Sequence, residues 1–157
     1  MYISIDEFII LQKRFQEFRE LGYPKLDRKA IQMIELLNGL PNTVTVSCRV
    51  PTWDDARNQS YGDGMRSDTI VTVLAVTTQE AFEKLWHISQ AVYKDISHVR
   101  MGYYKRQWPV DIGELAGLDY PAAVLEYNYW DKTEEAFDAK LVAYLKRLES
   151  AVLSVKE

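Results

Sequence analysis

The chain reads as an α+β protein of two layers, with an amino-terminal α-hairpin followed by a pseudo-repeated ββα-ββα unit whose four strands form a mostly antiparallel sheet. Three observations predict it. Apolar residues recur every three or four positions up to residue 42 and every second position from Thr43. No Pro-, Gly- or Ser-rich linker interrupts the 157 residues, so one domain is expected, divided into a hairpin (1–42), a first ββα unit (43–96) and a second (97–157). "VTTQEAF" at 76–82 returns as "DKTEEAF" at 131–137, fifty-five residues on.

Ser4 and Glu7 have the spacing of a capping box, and Ile5, Phe8, Leu11, Phe15 and Phe18 form the stripe of a first helix. Gly22 and Pro24 end it, because glycine accepts a left-handed cap and proline cannot extend the ladder. Asp27 caps a second helix striped by Ala30, Ile31, Ile34, Leu37 and Leu40.

In the first strand, Val44, Val46, Cys48 and Val50 alternate with Thr45, Ser47 and Arg49, which predicts one dry and one wet face. After a loop at 51–67, "DTIVTVLAV" is apolar or β-branched on both sides, as a central strand is. Thr77 and Glu80 predict the next capping box, ahead of a stripe of Phe82, Leu85, Trp86, Ser89, Val92, Tyr93 and Ile96. "HVRMGYYK" and "AAVLEYNYW" supply the remaining strands, and Phe137, Leu141, Tyr144, Leu145, Leu148, Val152 and Val155 mark the last helix. Sliding 43–95 onto 98–150 needs no gap and pairs Val44 with Val99, Trp53 with Trp108, and the two Thr-x-Glu-Ala-Phe stretches. Strand-to-helix turns favour such caps in any case, so the correspondence admits duplication or convergence.

Composition narrows the function classes. A formal charge of −4 argues against general nucleic-acid binding, which needs a dense cationic footprint. The basic residues of the first two helices are interleaved with acids and read as solvated faces, not as a DNA-reading helix-turn-helix. Cys48 is the only cysteine, which excludes an intramolecular disulfide and a thiolate zinc cage. With no signal-like amino terminus and no window of spanning length, a cytoplasmic protein without a membrane role is expected.

Catalytic patterns are weak. Asp54, Asp55, Asp63 and Asp68 lack the alternating ligand series of a calcium loop, and the Gly62-Asp63-Gly64 turn precedes neither a Lys-Ser/Thr pair nor a helix start. His87 and His98 are the two imidazoles, the first inside a helix and the second at a strand start. Cys48 reads as a small core hydrophobe. No catalytic residue, metal or cofactor is assigned.

With helices on one side of the sheet, the other side is expected to be open. It would carry Thr45, Ser47, Arg49, Arg100, Tyr104 and Arg106, joined by Glu126, Asn128 and Trp130 of the last strand, with Arg57, Tyr61 and Arg66 from the 51–67 loop. Arg, Tyr and Trp supply large contact area with a polar handle, the content of protein-binding hot spots. The leading expectation is therefore a non-catalytic protein-binding module of the inhibitor, immunity-type, adaptor or assembly-factor kind. A second reading is a small-molecule or nucleotide binder whose aromatic cleft uses Tyr103, Trp108, Glu126, Tyr127 and Tyr129. A third is a metal-assisted hydrolase using loop carboxylates. Edge pairing of 98–108 would give a homodimer, which Arg100, Lys105 and Arg106 are placed to discourage.

Overall fold

The computed structural model describes residues 2–24, 26–51, 53, 69–93, 99–107, 119–128 and 131–156, with the backbone alone at 69, 99–107, 119–122 and 128. Helices and strands follow in the order α1 (Ile5–Glu20), α2 (Arg28–Asn38), β1 (Thr43–Arg49), β2 (Thr69–Val76), α3 (Gln79–Tyr93), β3 (Val99–Gln107), β4 (Asp119–Asn128) and α4 (Glu134–Lys156). The strands pair in the order β1-β2-β4-β3, every neighbour antiparallel. The mixed architecture follows from the change of period at Thr43.

Local chemistry sets the helix starts. Ser4 Oγ accepts from Glu7 N at 3.2 Å, and Asp27 Oδ1 accepts from Lys29 N at 2.8 Å. The third helix is capped by Thr78 rather than Thr77: its Oγ1 accepts from Ala81 N at 3.1 Å. Thr133 does the same for α4, accepting from Ala136 N at 3.2 Å. After α1 the chain turns through two left-handed residues, Gly22 (φ 79°) and Tyr23 (φ 55°). A Cβ-bearing residue tolerates that conformation only where packing compensates. At Tyr23 the ring meets Phe15 and Phe18, with centroids 6.1 and 5.9 Å away.

One face of the sheet lies under α4. Ile70, Thr72 and Leu74 of β2 pair with Tyr127, Leu125 and Ala123 of β4, and all six are buried. Tyr127 stacks on Tyr144 of α4 with centroids 4.4 Å apart and planes 11° from parallel. Such a pair adds about 0.5–1.5 kcal/mol to the area it buries. α2 flanks α4, tied by Lys29–Asp138 at 3.5 Å.

Among the described residues, which leave out Ile96, the stripes hold with two corrections. α4 buries Phe137, Leu141, Tyr144, Leu145, Leu148 and Val152 as its period predicts. In α3 the buried line is Ala81, Leu85, Ile88, Ser89 and Val92, leaving Trp86 and Tyr93 exposed. The inward arc of α3 is narrow, and small aliphatic side chains fill it better than rings. Ile5, counted in the first stripe, is 61% exposed because it opens the helix before the packed turns begin.

The larger correction concerns β1. Its register against β2 shifts between Thr45 and Ser47, so Val44 pairs with Ala75 while Cys48 pairs with Thr72. Strict alternation would set both on one face; a bulge puts them on opposite faces. Thr45, expected on the wet face, is buried opposite Leu74. α1 and α2 pack along β1, and Asn38 Oδ1 accepts from Thr45 N at 2.7 Å, closing part of the edge.

Candidate functional site

The register assembles one row across the sheet. Arg49 pairs with Val71, Val71 with Glu126, and Glu126 with Arg100. Cross-strand partners share a face. At the usual strand spacing, the row spans about 14 Å from Arg49 to Arg100. Its face lies opposite the one that holds Tyr127, because Glu126 and Tyr127 are consecutive in β4. Arg49 is exposed, while Val71 and Glu126 are half-buried.

Two residues along each strand, the next row is Ser47, Val73, Val124 and Gly102. Val73 and Val124 are 3% and 1% exposed, so the face expected to be open is closed at that level. The charged row thus forms a polar margin above an apolar floor.

The remaining residues fall into distinct groups. Tyr104 stands in register with Ala122 and Arg106 with Tyr120, both further along β3 with the parity of Arg100. Tyr103 stands opposite Ala123. Arg57, Tyr61, Arg66, Trp108, Tyr129 and Trp130 lie outside the described residues, as do His98 and the four loop aspartates. Tyr127, assigned to the alternative cleft, is instead 3% exposed and belongs to the core under α4. Burial pushes its phenol pKa up. Glu126 faces away from it, so the two do not line one pocket.

Groups with catalytic potential stay apart. Cys48 is buried, with Sγ 3.6 Å from Thr72 Oγ1. Tyr144 is fully buried and its phenol is held far above the ordinary range, first by loss of water and then by Cys48 and Tyr127. His87 is exposed on α3. Among the described residues, no three His, Cys, Asp or Glu side chains gather as a metal site would require, and no helix is long and apolar enough to cross a membrane.

Sequence reasoning missed a groove between α1 and β1 of about 470 Å³, walled by Ile9, Gln12, Lys13 and Gln16 on one side and Asn38 and Val44 on the other. Its one sequence signal is Ile9, an apolar residue off the α1 stripe and 55% exposed. No family model matches the chain, and neither a curated protein nor a solved structure matches it.

Proposed function

We propose that the protein is a non-catalytic protein-binding module that docks a partner on the Arg49–Val71–Glu126–Arg100 row. The observation that carries this reading is the register itself: it brings two arginines and a glutamate from three strands into one line at the margin of buried Val73 and Val124. Arginine at such a margin binds carboxylates in a forked geometry and stacks on rings, and a flanking acid fixes which partner charges are accepted. A cytoplasmic inhibitor, immunity-type, adaptor or assembly role fits a compact domain of this kind.

A repeated ββα plan accompanies the reading. Val71 and Glu126, paired across β2 and β4, are the fifty-five residues apart that the sequence offset requires at a two-fold axis. The equivalent Thr78 and Thr133 caps support it. The docking row would then cross the axis and present an arginine from each half.

The test is affinity capture from native extract with the wild-type chain and with the Arg49→Ala/Arg100→Ala double variant, followed by mass spectrometry. A defined partner held by the wild type and lost by the variant, with the melting temperature within about 2 °C, is the expected result. Equal capture by both proteins overturns the reading.

A further inference from the structure

The groove between α1 and β1 shares no residue with the sheet row. We propose that it binds an extended acidic peptide segment of a partner protein. Along the Ile9–Arg19 stretch of α1 its wall is about 15 Å long, which accommodates four to five extended residues. Along α1 the wall is apolar at Ile9 and polar from Gln12 to Arg19, apart from buried Phe15. Ile9 offers an exposed apolar surface and Gln12 an amide that can both donate to a carbonyl and accept from an N–H, while the Gln16 amide already donates to Glu20 and the Asn38 oxygen already accepts from Thr45 N, which leaves each with its second hydrogen-bonding position. Asn38 already accepts a backbone N–H from β1 with its Oδ1, the kind of bond an added strand would also make.

Charge selects the occupant. The groove's charged lining residues are Lys13 and Arg19, with no acid among them, in a chain of formal charge −4. Of the acids nearest in sequence, Glu17 is engaged with Arg14 at 3.2 Å, while Glu20 accepts from the groove's own Gln16 at 3.4 Å. Arg19 pairs with Glu35 at 3.0 Å, so Lys13 is the cation that meets a carboxylate directly. A free carboxylate would find one exposed lysine, whereas a peptide also gains the Ile9 contact and the amide bonds.

The probe is a fluorescein-labelled hexapeptide of alternating Glu and Val, titrated by fluorescence anisotropy at low salt. The wild type binds it, with affinity falling as salt rises. Lys13→Glu weakens it about fivefold and in turn binds the Lys–Val counterpart, with unchanged far-UV circular dichroism. Arg49→Ala leaves it unaltered, so failure here and failure of the sheet-row proposal are told apart. The inference is overturned if Lys13→Glu binds the acidic peptide as well as wild type does or if the Lys–Val peptide binds wild type equally. Competition as strong from free glutamate, stronger binding of a thymidine hexanucleotide, or no binding at millimolar peptide also overturns it.

Discussion

The two strand-to-helix junctions and the strand pairs before them behave differently. At Thr78 and Thr133 the chain makes the same bonds in the same places: the hydroxyl oxygen accepts from the amide three residues on, and the carbonyl accepts from Phe82 N at 3.2 Å and from Phe137 N at 3.0 Å. The strand pairs do not copy. Val44 pairs with Ala75, but Val99, its counterpart by the fifty-five-residue slide, pairs with Tyr127 where the slide requires Trp130. Cap chemistry is decided within four residues and repeats wherever the words repeat. Register is decided by what packs on each face and by bulges, so it departs wherever the neighbours differ.

Removing the first helical aromatics should break this comparison most visibly. Phe137 is 1% exposed and meets Trp53 edge-on at 5.6 Å, whereas Phe82 is half-buried. In urea titrations Phe137→Ala should lose about 3–5 kcal/mol and Phe82→Ala less than half of that; similar losses would show that the two junctions are packed alike. The caps should respond equally. Thr78→Ala and Thr133→Ala should each cost about 1 kcal/mol, and a twofold disparity would show that burial, not the bond, sets the contribution.

The smallest effect separates the residues two places before each cap threonine, Val76 in the sheet and Asp131 at the surface. Asp131 has its carboxyl pKa lowered, first by the hydrogen bond from Lys132 N and then by Lys140, whose Nζ stands 3.4 Å away. A lowered folded-state value stabilises above the ordinary carboxylate range near pH ~4 and is lost as pH falls through the folded value. Asp131→Asn should therefore melt slightly below wild type at neutral pH and together with it in acid. A constant gap across pH would assign the effect to something other than ionisation.

The order of helices and strands, the caps at Ser4, Asp27 and Thr133 and the α4 stripe were legible because each depends on near neighbours. Arg49, Glu126 and Arg100 were also legible as one group, since period-2 alternation survives wherever no bulge intervenes. Three things were not. The Thr45/Ser47 shift inverts Val44 and Thr45, and no residue there announces a bulge. The exposure of Trp86 and Tyr93 depends on the width of the arc that α3 turns inward. Tyr127 was read as a cleft residue because its partner, Tyr144, arrives from seventeen positions downstream on another element.

The amino-terminal contact has a practical consequence. Ile3 is buried, and its amide donates to the Val76 carbonyl at 3.0 Å, just beyond which the Thr77 amide donates to Asn42 at 3.2 Å. That pair works as a clasp, fastening the segment before α1 to the end of a central strand. Trimming through Ile3 would release the helix that walls the groove, so an affinity handle for either binding assay belongs at the carboxyl end.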